Sequence, residues 1–149
     1  MDLMLDTNIV LDHIGRREPF YELSRRTCLL GIVGEARTFI SASMVTDLFC
    51  LLCKDFGSHE AQRMIEEDLS FLNIVGVSPD DVAEALALKW NDVEDCLVAC
   101  CAKKIGADYI ITRNTRDFER SSVKAITPQE LFDELDARGI VYREIPWLE

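Results

Sequence analysis

Short apolar runs alternate with longer stretches of helical period along this chain. Leu3, Met4 and Leu5 form the first run and read as a strand, followed by a short helix over 8–14. Pro19 stands where a helix can begin, and 20–36 carries Leu23, Cys28, Leu30 and Val33 at roughly helical spacing. Residues 38–41 predict a second strand, 43–54 a helix, and 59–71 another helix after Gly57 and Ser58. A short strand over 73–77 precedes Ser78-Pro79, an N-cap with proline at the first helical position, which opens a helix over 82–89. Asn91-Asp92 begins the next helix, which runs to Ile105 and is stopped by Gly106. Residues 109–112 read as a buried strand and 123–126 as a further one. Thr127-Pro128 starts a last helix through 137 or 138. The tail from 140 to 149 reads either as an added strand or as an arm packed on a partner.

Strands separated by helices imply a three-layer α/β/α fold around a mostly parallel sheet of about five strands. Repeats, low-complexity tracts and linkers are lacking, so 1–149 is taken as a single domain. In such sheets, ligands bind beyond the carboxyl ends of the strands. Asp6 follows the first strand directly, and Asp47 lies in the first turns of the helix after the second. Asp92 and Asp95 open the helix that leads to the fourth strand, and Asp117 follows that strand. If the strands are parallel, these groups gather at one edge of the sheet. Crowded carboxylates raise one another's pKa unless cations intervene, and hard oxygen donors suit Mg²⁺ or Mn²⁺ better than zinc.

Each acid also has a purely structural reading. Asp6 can cap the helix that starts near Thr7, and Asp92 is a natural N-cap with Asp95 as capping-box partner. Asp117 can stabilise a turn. Asp12, nearly two turns beyond Asp6, reads as a surface residue. Asp95 and Asp47 differ in standing among apolar neighbours, where a charge is costly unless paired or bound to metal.

Composition changes little in this picture. With 48% hydrophobic and 29% charged residues the chain is an ordinary globular protein. It has no apolar run of membrane-spanning length and no basic segment ahead of one, so the expected compartment is the cytoplasm. The six cysteines, including the pair Cys50 and Cys53, sit in apolar helical segments and are expected to be buried and reduced. The net charge of −11 matters more, because it argues against casual nucleic-acid binding. An acidic protein that cuts a polyphosphate must rely on bound cations and a few well-placed arginines.

The ordered set of motifs resembles the PIN domain family over nearly the whole chain. It comprises Leu5-Asp6-Thr7-Asn8, Ile40-Ser41-Ala42-Ser43 leading to Asp47, and Asp92-Val93-Glu94-Asp95 with the small-residue helix after it. It ends with the segment from Gly106 to Asn114, Asp117-Phe118, and Ile126-Thr127-Pro128. The resemblance implies catalytic acids at Asp6, Asp47, Asp95 and Asp117, with Mg²⁺ or Mn²⁺ held by Asp6, Asp95 and Asp117. It implies supporting roles for Asn8, Thr112 and Asn114, with Asp92 and Glu94 as extra acids that widen the site. Many members carry glutamate where this chain has Asp47, which is one methylene shorter and suited to holding metal through water.

Also implied are hydrolysis of RNA phosphodiester bonds, the toxin half of a toxin–antitoxin pair, an antitoxin partner and a homodimer. Arg113 and Arg116, and more remotely Arg16 and Arg17, are candidate phosphate contacts. The two histidines, His13 and His59, adjoin none of the acidic motifs except through Asp12, which disfavours a metal-free ribonuclease. A phosphatase of the haloacid dehalogenase type needs a second aspartate at the position of Asn8. A non-catalytic module that keeps the fold and binds a protein or RNA is the alternative to the nuclease.

Overall fold

The computed structural model describes residues 1–142. Its centre is a five-stranded, wholly parallel sheet in the order β3-β2-β1-β4-β5. The strands are β1 (Asp2–Leu5), β2 (Arg37–Ser41), β3 (Leu72–Val75), β4 (Tyr109–Ile111) and β5 (Ala125–Ile126). Seven helices connect and cover them: α1 (Thr7–Ile14), α2 (Tyr21–Ile32), α3 (Ala42–Phe56), α4 (Ser58–Asp68), α5 (Pro79–Leu88), α6 (Val93–Ile105) and α7 (Pro128–Ala137). A 3₁₀ turn, Thr115–Phe118, follows β4. The predicted three-layer α/β/α architecture is the one observed. The expected tail element falls largely on residues outside those described.

Leu3, Met4, Leu5, Ile110 and Ile111 are all inaccessible to solvent, as a central parallel sheet covered on both faces requires. Successive strands are added outward from β1 to β3 on one side, after which the chain crosses back to place β4 on β1's other flank. The direction of winding therefore reverses between β1 and β4. A crevice opens beyond the strand ends at such a reversal, and ligands of open α/β sheets bind there.

Local chemistry sets the boundaries. Ser78 and Asp81 form a reciprocal capping box at the start of α5, and Thr127 and Glu130 form another at α7. Gly106, at φ +64°, ends α6 as predicted. The helix expected over 20–36 stops earlier, at Ile32. Gly34 takes φ +77°, and the Glu35 N–H donates back to the Leu30 carbonyl at 2.9 Å, a Schellman turn that frees the chain to enter β2. The helix expected over 59–71 likewise ends at Asp68, because Leu72 is needed in β3.

All six cysteines are free thiols. Cys28, Cys96, Cys100 and Cys101 are buried as expected, whereas Cys53 is half-buried and Cys50 is exposed, which corrects the expectation for that pair. Cys50 lies on the outward stripe of α3, one residue from the half-buried Phe49. Among the described residues, no helix is long and apolar enough to cross a membrane.

Candidate functional site

Asp6 stands at the reversal point, immediately beyond β1 and 7% exposed. Its extended backbone makes it the N-cap of α1, with Oδ1 accepting from the Thr7 N–H at 2.8 Å. Oδ2 accepts from Asn8 Nδ2 at 2.8 Å and from Thr112 Oγ1 at 2.7 Å. Capping and site-building are thus one arrangement. Thr112, at the end of β4, also accepts the Asn114 N–H at 3.0 Å, and Asn8 Oδ1 accepts the Arg113 N–H at 3.3 Å. These contacts weld the loops after β1 and β4 together. Burial pushes the Asp6 carboxyl above its ordinary pKa, with Asp117 adding to the rise, against the hydrogen bonds from Thr112 and Thr7.

The second wall is the start of α6. Asp92 is its N-cap, accepting from the N–H groups of Glu94 and Asp95 at 2.8 and 3.2 Å. Asp95 therefore faces Asp6 rather than closing a reciprocal box. Burial raises Asp95 to a pKa of about 7, reinforced by Asp6, Asp92 and Asp117. Asp117, exposed on the 3₁₀ turn, completes the group, with its backbone N–H bonded to the Asn114 carbonyl at 3.0 Å.

Asp47 belongs to a neighbouring pair. It is half-buried on α3 and hydrogen-bonded to Glu94, whose other contact is the Thr7 hydroxyl, donating to Oε1 at 3.0 Å. Burial and then the hydrogen bond with Asp47 push Glu94 to about 7, so Glu94 holds its proton up to near-neutral pH. Thr7 therefore serves Glu94 with its side chain while its N–H serves Asp6. The signal for Glu94 was present in the Asp-Val-Glu-Asp run, but its reach to α3 depends on how α6 packs.

Among the described residues, no group of three or more His, Cys, Asp or Glu side chains stands arranged to hold a metal ion. The donor set nevertheless fits a hard divalent cation. It consists of carboxylate oxygens with an amide and hydroxyls behind them, the hard oxygen donors that such a cation takes.

The structure corrects Asp12. It is 0% exposed, and its Oδ2 lies 3.0 Å from Arg113 Nε. α1 is short and wrapped by α2, α3 and α4, so Ile9, Val10, Leu11 and Asp12 are all buried and no outward face remains there for an acid. The Arg113 guanidinium also lies 4.0 Å from the centre of the Phe20 ring. Arg113 is therefore committed to fixing the loop after β4 onto α1. Arg17 sits 4.0 Å from Asp55, and with Arg16 it lies past the far end of α1, roughly 12 Å from Asp6. Arg116 is exposed on the 3₁₀ turn beside Asp117.

The comparisons agree with this architecture. One chain of the DNA-bound VapBC structure from Salmonella typhimurium is 23% identical with a TM-score of 0.65, and the match covers 86% of this chain and 98% of that one. VapBC2 from Rickettsia felis, bound to a promoter DNA fragment, gives 23% identity and 0.64 over 85% and 98%. The sarcin-ricin-loop-cleaving toxin VapC20 of Mycobacterium tuberculosis gives 13% and 0.60 over 72% and 86%. At these identities the likeness is one of fold. Among curated proteins none matches. The PIN domain model matches residues 2–116, which include Asp6, Asp47, Asp95 and the loop after β4, and on that match the chain belongs to the PIN domain family.

Proposed function

We propose that this chain is a divalent-cation-dependent endoribonuclease acting as the toxin of a toxin–antitoxin pair. The observation that carries the reading is Asp6, locked by three hydrogen bonds at the sheet's reversal point and facing Asp95 and Asp117. Mg²⁺ or Mn²⁺ held by Asp6, Asp95 and Asp117 would supply water activation and charge neutralisation at the scissile phosphate. The chain's own work is positioning. Asn8 and Thr112 fix the Asp6 rotamer, the Asp92 cap fixes the first turn of α6 beneath Asp95, and the Thr112–Asn114 contact shapes the turn that presents Asp117. Asp47 acts through Glu94 at the rim of the site, and Arg116 is placed to meet RNA phosphate.

The similarity to VapBC assemblies supports an antitoxin partner. A basic antitoxin segment over the acidic groove, and a homodimer, belong to the same proposal. The alternative, a catalytically silent module, draws on the Glu94–Asp47 pair and the charge of −11.

The test is incubation of the purified protein with mixed single-stranded RNAs in Mg²⁺, in Mn²⁺ and in EDTA, beside Asp6→Asn and Asp95→Asn. Cleavage is expected only with the wild-type chain and a cation, with each variant reduced more than about a hundredfold, beyond the usual cost of losing an outer-sphere partner. Cleavage that survives EDTA or both substitutions sinks the metal–aspartate reading. Absence of cleavage together with absence of a cation-dependent thermal shift favours the silent module.

A further inference from the structure

Beside the carboxylates the turn between α5 and α6 borders a cleft of about 150 Å³, lined by Trp90 and Asn91 together with Arg116 and Arg120. Asp95 and Asp117 line it as well, with Asp92 and Glu119. We propose that this cleft is a subsite for one unpaired nucleobase of single-stranded RNA, the base next to the phosphate held at the carboxylates. The inference rests on the nuclease reading for its substrate class, and on the cleft's own construction for the rest.

The half-buried Trp90 ring packs on the main core and on the cluster of Ala85, Cys96 and Cys100, and two specific contacts fix its pose. It packs edge-to-face on the buried Phe118, with centroids 6.3 Å apart and planes at 73°. The Arg120 guanidinium lies 5.9 Å from its centre. Arg120 is itself anchored, donating to the Leu88 and Lys89 carbonyls at 2.7 and 3.1 Å. Lys89 takes the left-handed conformation at φ +53°, an uncommon state for a side-chain-bearing residue, and these hydrogen bonds hold the chain in it where it turns to present Trp90. A turn held in a costly conformation to expose a half-buried indole in a polar cleft is a built feature.

The size and charge of the cleft select the occupant. Pockets for drug-sized ligands run to roughly 300–1,000 Å³, so 150 Å³ is on the scale of a single planar ring system rather than a base pair. An aromatic face with an arginine beside it is the chemistry that stacks an unpaired base, and stacking of this kind contributes roughly 5- to 150-fold in affinity per base. Arg116 makes no ion pair among the described residues, whereas Arg17, Arg37, Arg63 and Arg113 all do. Its guanidinium is therefore available to the phosphate that joins the stacked base to the carboxylates. This arrangement also addresses the difficulty raised by the acidic surface, because affinity for RNA then comes from one stacked ring and one local cation rather than from a basic face.

The chain has two tryptophans, so the full chain carrying Trp147→Phe makes Trp90 the sole reporter. It is titrated with mixed-sequence RNA decamers, single-stranded or annealed to their complements. The titrations use EDTA, and also Mg²⁺ with Asp6→Asn added, since neither condition is expected to cleave. Single strands are expected to quench Trp90 emission to saturation, and duplexes to leave it unchanged. By anisotropy, with Trp90 restored or replaced in the same chain, Trp90→Leu should weaken binding about tenfold and Trp90→Phe should recover most of it. Arg116→Ala should lower the salt slope by about one phosphate contact.

Single-strand binding without quenching, equal quenching by duplex, unchanged affinity in Trp90→Leu, or no binding at all each overturns the subsite. If Trp90→Leu fails to fold by circular dichroism, quenching of the unsubstituted ring and the Arg116→Ala slope decide. Quenching of Trp90 in the Trp147→Phe chain, where the wild-type chain cleaves nothing, would keep the subsite and reject the nuclease. Cleavage without quenching would do the reverse.

Discussion

The two walls of the site are built on opposite principles. On the β1–β4 wall, Asp6 accepts three hydrogen bonds, and Asp12, nearly two turns further along α1, is buried against Arg113. On the α6 wall, Asp95 faces other carboxylates, and Glu94 is hydrogen-bonded to a further carboxylate, Asp47. On one wall each acid meets a hydrogen-bond donor or a cation of the protein's own, while the other is left with like charges facing one another. The difference shows where stability has been given up for function. On the proposed nuclease reading, the site is preorganised around one carboxylate, and the others are the groups a cation would bring together.

The comparison breaks most severely at Arg113. Arg113→Ala leaves Asp12 as a fully buried acid with only the weaker influence of Arg17 as counter-charge, a situation that costs up to about 3–5 kcal/mol. Urea unfolding of the wild-type and variant chains measures it. A loss below about 1 kcal/mol would show that Asp12 is held neutral and that the contact contributes little. Replacing both partners together, as in Asp12→Leu with Arg113→Met, should recover most of the loss, because apolar groups of similar volume need no counter-charge.

Thr112→Val comes next. It keeps the shape of a buried residue but removes the hydroxyl that donates to Asp6 and accepts from Asn114. Cleavage should fall about 10- to 100-fold, the usual cost of losing a partner that orients a metal ligand, while cation affinity falls in step. Serine at 112 keeps the hydroxyl and should retain most activity. If valine and serine behave alike, Thr112 serves packing alone.

What the sequence made legible follows from the range of each interaction. The strand before Asp6, the caps at Asp92, Ser78 and Thr127, and the stop at Gly106 are local, so spacing revealed them. The parallel sheet followed from alternation of elements, and the gathering of Asp6, Asp95 and Asp117 followed from the sheet. Asp12 was misjudged because its burial is decided by Arg113, which arrives from the loop after β4. Asp47 was placed with the other acids, and its coupling to Glu94 depends on how α3 and α6 meet. Trp90 offered no signal, since a lone tryptophan before Asn-Asp gives no hint that Arg120 and Phe118 will hold it beside the acids.

The smallest effect is expected on the unfinished wall, and its sign is opposite to the usual one. Asp95 binds its proton with a pKa of about 7 in the fold against 3.8 for an unperturbed aspartate. The cation-free folded state therefore holds more protons than the unfolded chain between these values. Stability must fall as pH rises from about 4 to about 7 and level off above, with Glu94 adding to the same trend from 4.5. Asp95→Asn removes the charge that causes this. At pH 8, in EDTA, it should raise the melting temperature by about 2–4 °C, what roughly 1 kcal/mol gives in a chain of this size. At pH 4 the wild-type carboxyl is already protonated in the fold, and the gain should vanish. Mg²⁺ should reverse the ranking at pH 8, since the wild-type wall then has the cation it lacks and the variant has lost a ligand. Thermal scans at two pH values, with and without Mg²⁺, decide it. An equal gain at both pH values would trace the effect to packing, and a loss at pH 8 in EDTA would mean that Asp95 has a stabilising partner within the fold.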